Sequence, residues 1–426
     1  MKGYIKAFRL GLFSITIFVL FSCKSAQISK SLSKSLKANF YDHQFTGFMV
    51  YNPRTKDTVF NYNGDRYFTP ASNTKIFTLF TALQFLPEYI PAFTYAVAED
   101  TIVMRGTGDP TFLHPYFNDS TALKFINNYK EAQLLINNFK NEKFGPGWAW
   151  EDYDRYFSPE RSSFPMYGNV VTIAHDNNLV VIPDVLRSRT YLTQSNTQRD
   201  YNTNVFYYKS GTKNKIEIPM VMDSMLIDEL WKDLIPNKIK LIHKTSRILD
   251  QIAYSVPSDS LYKRMMHLSD NFLAEQMLVL SSSMISDTLD VDRVRDSIIN
   301  HHLKDLKHKP RWVDGSGLSR YNLFTPASFV QVLSKLYTEI PTERLFNFFP
   351  SGGVSGTLKN WYTGEARPYI YAKSGTVGNN YSLSGYLLTN SGELLIFSFM
   401  NNHYTKPTSE VKARMQSIFE WLRDHY

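Results

Sequence analysis

Phe68-Thr69-Pro70-Ala71-Ser72-Asn73-Thr74-Lys75-Ile76-Phe77-Thr78-Leu79-Phe80 places a serine one helical turn before a lysine, at the mouth of an apolar helix. A helix brings positions i and i+3 onto one face, so the Lys75 amine can sit beside the Ser72 hydroxyl. A lone serine is a weak nucleophile, and an adjacent base activates it. Thr69 reads as the N-cap and Pro70 as the first helical residue. Ile76, Phe77, Leu79, Phe80, Ala82, Leu83, Phe85 and Leu86 are apolar nearly all round, which predicts a buried helix, and Pro87 ends it. Such a helix holds a nucleophile on a rigid element. The plainer alternative is a core helix with a solvated start.

Two later motifs bear on that choice. Ser269-Asp270-Asn271 lies within Met265–Met277, and Lys373-Ser374-Gly375 ends the strand-like run Tyr369–Lys373. Taken singly, the first reads as a helix cap before Phe272–Leu280 and the second as a strand-end turn. The ordered set S-x-x-K, S-D-N, K-[TS]-G is the signature of penicillin-binding proteins and serine β-lactamases. Ser374 stands where threonine is usual, which keeps the hydroxyl and removes a methyl. Asp314–Pro326 (DGSGLSRYNLFTP), Gly106–Pro110 (GTGDP) and Pro350–Leu358 (PSGGVSGTL) narrow the resemblance. Together the segments resemble the D-alanyl-D-alanine carboxypeptidase/endopeptidase family typified by penicillin-binding protein 4. The similarity runs from about Thr46 to the C-terminus and is loose between Thr111 and Leu241. That family carries a long insertion between the first and second motifs, as the distance from Ser72 to Ser269 allows here.

The resemblance implies acyl transfer through a covalent intermediate. Ser72 would attack the carbonyl of a D-Ala-D-Ala bond with Lys75 as general base, its pKa lowered by like-charge repulsion from Lys373. Ser269 would relay a proton to the leaving amine, and Asn271 would hold Lys75 and the substrate amide. Lys373, Ser374 and Thr376 would bind the substrate's terminal carboxylate beside Gly375. The backbone N–H groups of Ser72 and Thr376 would form the oxyanion hole. The partners implied are peptidoglycan stem peptides and β-lactam antibiotics, and neither an organic cofactor nor a metal is required. Asp314-Gly315-Ser316-Gly317 reads mainly as a structural turn that could line the cleft. Gly106–Pro110 lacks the Lys-Ser/Thr pair of a phosphate loop.

The 426 residues, 43% hydrophobic and 20% charged, describe a globular chain with room for two or three domains. The formal charge of +8 is mild, and three of the positives, Lys2, Lys6 and Arg9, fall in the N-terminal leader. No basic helix or nucleic-acid motif accompanies it; an anionic wall polymer or membrane surface suits it equally. Those three residues precede an apolar run, Leu10–Phe21, too short for a comfortable membrane span. Leu20-Phe21-Ser22-Cys23 then resembles a bacterial lipobox, with Cys23, the sole cysteine, as the lipidation site. The alternative is an ordinary secreted protein cut near Ser22 to Ala26. A single cysteine excludes an intramolecular disulfide. Lipid anchoring would place the protein in the periplasm on a bacterial membrane.

The expected organisation is a signal peptide over 1–22, a transpeptidase-like domain in two parts over 23–99 and 242–426, and an inserted, mostly β domain over 100–241. The fold class is α+β: an antiparallel sheet flanked by helices, with strands from both ends of the sequence in one split domain, as in the serine β-lactamase/transpeptidase fold. A helix is expected over Ile28–Phe40 and strands over Phe45–Val50 and Thr58–Tyr62. Val170–Ile173 and Leu179–Pro183 are strand-like within the insertion. Thr325–Tyr337 reads as an amphipathic helix, Tyr369–Lys373, Tyr381–Leu388 and Leu394–Met400 as strands, and Val411–Tyr426 as a closing helix. Aromatic and Asn-rich segments of the insertion offer a sugar-binding face or simply core. Three functions compete: a periplasmic D,D-carboxypeptidase/endopeptidase, a serine β-lactamase, and a non-enzymatic wall-binding or penicillin-sensing protein. The long insertion and the lack of an identifiable deacylating glutamate soon after Lys75 favour the first over the second. The intact Ser72 and Lys75 argue against the third.

Overall fold

The computed structural model describes residues 27–426 except 118, 176–177, 195, 210 and 212–213; the expected leader and Cys23 lie outside the described residues. The described residues begin with helix α1 (27–36), strands β1 (Phe45–Asn52) and β2 (Asp57–Tyr62), and helix α2 (Lys75–Phe85). There follow β3 (Tyr89–Ala98), β4 (Thr101–Gly106), α3 (Thr121–Asn127), β5 (Glu131–Leu135), β6 (Val170–His175) and β7 (Leu179–Ile182). Next come β8 (Thr190–Thr193), β9 (Phe206–Lys209), β10 (Ile216–Pro219), α4 (Ser224–Leu234), β11 (Ile239–Ile242) and β12 (Gln251–Pro257). The remainder is α5 (Ser258–Leu268), α6 (Asn271–Ser283), α7 (Val291–Ser297), α8 (Pro326–Glu339), α9 (Thr342–Phe348), β13 (Ile370–Val377), β14 (Asn380–Leu388), β15 (Leu394–Asn402) and α10 (Thr408–His425). Two compact units result. One holds the described residues up to Asn73 with Leu306–Pro310 and Leu323–Tyr426; the other holds Thr74–Asp305 and Arg311–Asn322.

The first unit is built on a five-stranded sheet in the order β13-β14-β15-β1-β2, antiparallel throughout. The two ends of the sequence meet where β1 pairs with β15, from Phe45 opposite Asn402 to Tyr51 opposite Ile396. Side chains alternate between the two faces. One face sends Phe48, Phe397 and Phe399 against α10, with ring centroids 4.6 Å apart for Phe397–Phe419 and 4.3 Å for Phe48–Phe399. Val411, Met415, Ile418 and Leu422 of α10 and Ile28, Leu32 and Leu36 of α1 complete that core. Each such apolar side chain contributes roughly 1.5–3 kcal/mol on burial. On the other face the Tyr386 hydroxyl donates to the Leu333 carbonyl of α8 at 2.9 Å. α8 starts where the sequence indicates, with Thr325 as N-cap in a capping box with Ser328 and Pro326 in the first turn.

The start of α2 corrects one expectation. The α-helix begins at Lys75, and Ala71–Thr74 is a 3-10 turn. Thr69 does not cap it: the Thr69 N–H donates to Asn402 Oδ1 at 2.7 Å, and its carbonyl accepts from Asn402 Nδ2 at 3.1 Å. Ala71 has φ +48°, a left-handed conformation costly for a residue with a Cβ, and it breaks the helical path between Pro70 and Ser72. Tertiary hydrogen bonds therefore hold this turn in place of a local cap.

The second unit carries a mixed sheet in the order β11-β5-β4-β3-β12, an antiparallel sheet β10-β6-β7 and the parallel pair β8-β9. Residues 100–241 contribute short strands together with α3 and α4, and the main sheet also takes β3 and β12 from outside that segment. Its core centres on Phe112, Phe164 and Trp231, with Phe112–Trp231 centroids 5.2 Å apart. α2 packs on α5 and α6 within this unit. Its length from Ile76 to Ala82 is buried, as its apolar pattern requires.

Candidate active site

The first unit carries Ser72 and the third motif. Ser72 is half-buried directly after the left-handed Ala71, the kind of backbone strain that persists only where the surroundings enforce it. The next residue is the anchor: Asn73 Nδ2 donates to Ser384 Oγ at 2.8 Å, and Ser384 Oγ donates to Ser398 Oγ at 2.8 Å. Lys373, Ser384 and Ser398 lie directly opposite one another on β13, β14 and β15, so Lys373 shares the sheet face that grips the Ser72 turn. β13 approaches that turn so closely that a Cβ on Gly375 would lie 2.6 Å from the Pro70 carbonyl oxygen, 2.8 Å from Ser72 N and 2.9 Å from Asn73 N. Only glycine fits there. Lys373 is fully buried and its Nζ donates to the Ser374 carbonyl at 2.6 Å. Ser374 Oγ donates to Thr357 Oγ1 at 2.7 Å, and Thr376, next after Gly375, is exposed.

The second unit carries Lys75 and the second motif. Lys75 is fully buried, and its Nζ donates to Asn271 Oδ1 and to the Ser316 carbonyl, each at 2.7 Å. Asn271 Nδ2 donates in turn to the Phe157 carbonyl at 3.0 Å, which fixes the amide orientation. The helix-cap reading of Ser269-Asp270-Asn271 holds. Ser269, at φ +57°, ends α5 in the left-handed region; Asp270 caps α6 by accepting from Leu273 N at 3.0 Å; and Asn271 starts α6 with its side chain on Lys75.

The Asp314–Gly317 turn takes a larger part than its sequence suggested. Asp314 Oδ1 accepts from Gly317 N at 2.8 Å and Asn322 Nδ2 at 2.7 Å. Its Oδ2 accepts from Ser319 N at 2.6 Å and Trp148 Nε1 at 2.9 Å. The loop folded this way turns two carbonyls to α2: Gly315 O accepts from Thr78 Oγ1 at 2.6 Å, and Ser316 O accepts from Lys75. Glu275 Oε1 accepts from Ser316 N at 2.8 Å, and its Oε2 lies 3.5 Å from Arg161 Nη1, both side chains buried.

Burial pushes the Lys75 amine down to about 8, against the pull of the Asp314, Asp270 and Glu275 carboxylates, which favour the charged form. The direction matches expectation, but the largest cause is desolvation and not like-charge repulsion from Lys373. Burial also raises Glu275, opposed by Arg161 and by the hydrogen bond from Ser316. Sequence reading missed Glu275 and Ser316 here. Glu275 could have been found, since it follows Asn271 by four residues on one helical face. The Ser316 contact uses a backbone carbonyl, which no residue type advertises.

The D-Ala-D-Ala carboxypeptidase 3 (S13) family model matches residues 28–204 and 235–425. The chain belongs to this family. As an S13 member it is a serine D-Ala-D-Ala carboxypeptidase, and the expected transpeptidase-like fold stands. D-alanyl-D-alanine carboxypeptidase DacB of Haemophilus influenzae is 22% identical over 458 residues, covering 89% of this chain and 90% of that protein. Penicillin-sensitive carboxypeptidase A of Dictyostelium discoideum is 23% identical over 418 residues, covering 80% and 78%. Among solved structures, penicillin-binding protein 4 of Haemophilus influenzae aligns with TM-score 0.69 at 19% identity, over 92% of this chain and 98% of that one. The penicillin G-acylated predatory endopeptidase Bd3459 of Bdellovibrio bacteriovorus aligns with TM-score 0.50 at 15% identity, over 89% and 92%.

Proposed function

We propose that this S13 enzyme works through a Ser72 acyl-enzyme, with Lys75 as the general base, on D-Ala-D-Ala termini or D-Ala-linked cross-bridges of peptidoglycan. The observation that carries the reading is the state of Lys75: buried, held by two acceptors at 2.7 Å, and lowered to about 8. At pH 7.5 an amine of that pKa is about one-quarter neutral, against about 0.1% for an ordinary lysine. Neutral Lys75 takes the Ser72 proton as Oγ bonds to the substrate carbonyl carbon. The C–N bond then breaks, and the leaving amine departs with a proton relayed by Ser269. Water hydrolyses the ester and restores Ser72.

Asn271 orients Lys75 and the substrate amide. Lys373, Ser374 and Thr376 bind the terminal carboxylate; the buried Lys373 ammonium supplies the charge and the exposed Thr376 the outermost hydroxyl. The Ser72 and Thr376 N–H groups form the oxyanion hole, each worth about 3 kcal/mol, and the tight approach of β13 at Gly375 supports that pairing. Carboxypeptidase and endopeptidase reactions differ only in whether the leaving amine is free D-Ala or a cross-linked peptide. A β-lactam would acylate Ser72 by the same attack. The Leu20–Cys23 sequence supports a lipid anchor at Cys23 and a periplasmic location. No described helix is long and apolar enough to cross a membrane.

Intact-mass spectrometry with benzylpenicillin tests the reading, following protein and antibiotic together. The expected result is a long-lived adduct at Ser72 that Ser72→Ala abolishes. Antibiotic consumed without an adduct would identify a β-lactamase, and a Ser72→Ala enzyme that still cleaved D-Ala-D-Ala peptides would overturn the assignment.

A further inference from the structure

Residues Trp148 to Phe157 form a strap with both ends tied to the partners of Lys75. At one end Trp148 Nε1 donates to Asp314 Oδ2 at 2.9 Å, and at the other the Phe157 carbonyl accepts from Asn271 Nδ2 at 3.0 Å. Between these ties the strap turns aromatic rings outward. Trp150 is 75% and Tyr156 68% exposed. A second segment adds Tyr201, 56% exposed, whose ring centroid lies 6.4 Å from Trp150 and 5.0 Å from Tyr153. Clustered exposed rings on a folded surface are unusual and mark interaction sites.

The cluster is a built feature. Arg199 is only 1% exposed, and both terminal nitrogens of its guanidinium donate to these two segments. Its Nη1 donates to the carbonyls of Asp200, Tyr201 and Thr203 at 2.8, 2.9 and 3.2 Å, and its Nη2 to the Tyr153 carbonyl at 3.3 Å. It also stacks over the Tyr153 ring at 5.2 Å, while the Tyr153 hydroxyl donates to the Arg199 carbonyl at 2.9 Å. A buried arginine so engaged fixes the rings before any ligand arrives, which lowers the ordering cost of binding.

We propose that Trp150, Tyr153 and Tyr201 form a subsite for the saccharide strand that carries the scissile peptide, a neutral β-1,4-linked N-acetylamino sugar. The proposal rests on the peptidoglycan reading of the active site. The rings stand edge to face, Tyr201 at 77° to Trp150 and 82° to Tyr153, so the exposed Trp150 face is the one that matches the C–H face of a pyranose, and the neighbouring Glu151, Asp152 and Asn202 supply hydrogen-bonding groups for hydroxyls and acetamides. Charge selects the sugar over other parts of the wall. At the surface of these segments Glu151, Asp152 and Asp200 outnumber Arg155, with Asp154 and Arg199 buried, an acidic balance that disfavours anionic peptide or polymer and tolerates a neutral sugar. Because the strap ends on Asn271 and Asp314, a sugar held on it lies on the Lys75 side of the chemistry.

Two measurements on the purified protein test the subsite. Titration with chitopentaose, a neutral N-acetylglucosamine oligomer, is expected to give a saturable change in tryptophan fluorescence, and Trp150→Ala and Tyr201→Ala to weaken binding at least tenfold. The second is the ratio of kcat/KM for a D-Ala-D-Ala peptide attached to the disaccharide to that for the same peptide free. Trp150→Ala is expected to lower this ratio about tenfold. Fluorescence that does not respond in the unaltered protein, or a ratio that Trp150→Ala leaves unchanged, overturns the proposal; a merely structural strap would slow both substrates alike. Benzylpenicillin acylation of the same samples separates the two readings, since loss of that adduct in the unaltered protein would strike the Ser72 assignment while the titration still reports the sugar.

Discussion

Gly375→Ala places a methyl group where the backbone of the Ser72 turn already stands. The new Cβ would meet the Pro70 carbonyl oxygen at 2.6 Å, Ser72 N at 2.8 Å and Asn73 N at 2.9 Å. Carbon and carbonyl oxygen sit comfortably at about 3.3 Å or more, so β13 and the turn must part by about 0.7 Å. The neighbours that would have to yield are backbone atoms, with no flexible side chain to swing aside. Asn73 is fixed to Ser384, and Thr69 to Asn402, on the same sheet. Overpacking of this kind destabilises by roughly 1–3 kcal/mol. The kinetic effect should be larger in proportion, because a 1 Å misplacement of reacting groups can cost about 10²-fold. The expected outcome is a fall of about 100-fold in the rate of benzylpenicillin acylation, measured by stopped-flow or quenched mass spectrometry, with Tm lowered by several degrees. Ser374→Thr is the companion: it adds a methyl one residue earlier and restores the usual residue, and its acylation rate should stay within about threefold. A Gly375→Ala protein that acylated at the unaltered rate would refute the argument that β13 and Ser72 must touch.

Further outcomes follow from the buried charges. The Lys75 amine is lowered from 10.5 to about 8, so acylation should rise with pH along a limb centred near 8. Because the folded chain binds fewer protons than the unfolded one between about pH 8 and 10.5, the same group should make stability rise across that window, by up to about 3 kcal/mol. Asn271→Asp would set a carboxylate against Lys75 Nζ, raise its pKa and move the acylation limb upward by a unit or more. Asp109, buried between Ser255 and Thr111, is raised by burial to about 6. A raised acid stabilises the fold below its unfolded pKa and loses that contribution as pH climbs. Urea titrations should therefore show stability falling by about 3 kcal/mol from pH 4 to above 6, a slope that Asp109→Asn removes. Asp314→Asn would turn an amide NH2 toward two of the four N–H groups that the carboxylate now accepts. Leaving such buried donors unmet costs about 1–3 kcal/mol, which calorimetry would record as a lower Tm, with slower acylation as the Ser316 carbonyl shifts.

The strands and helices that carry the motifs were legible because their patterns are local. The short apolar run Leu394–Met400, the Thr325-Pro326 cap and the apolar run after Lys75 each state their own conformation. The turn before that run was not. Thr69-Pro70 is a sound helix start by local rules, yet the Asn402 side chain takes both Thr69 backbone groups and Ala71 turns left-handed. For Glu275 the only local signal is its i+4 spacing from Asn271, since its partners, Arg161 and Ser316 N, come from distant parts of the chain.

By itself the sequence determined which groups could do chemistry here: a serine and a lysine one turn apart, an S-D-N start to α6, and a Lys-Ser-Gly-Thr strand end. Those are properties of residue type and order, and they sufficed for the family and the reaction class. Tertiary structure alone decided that Lys75 is dry enough to be lowered to about 8, that a backbone carbonyl from the Asp314 loop holds it, and that β13 leaves no room for a Cβ at Gly375. Desolvation, carbonyl direction and close approach depend on atoms brought together from distant parts of the chain, so no run of residues read along the sequence contains them.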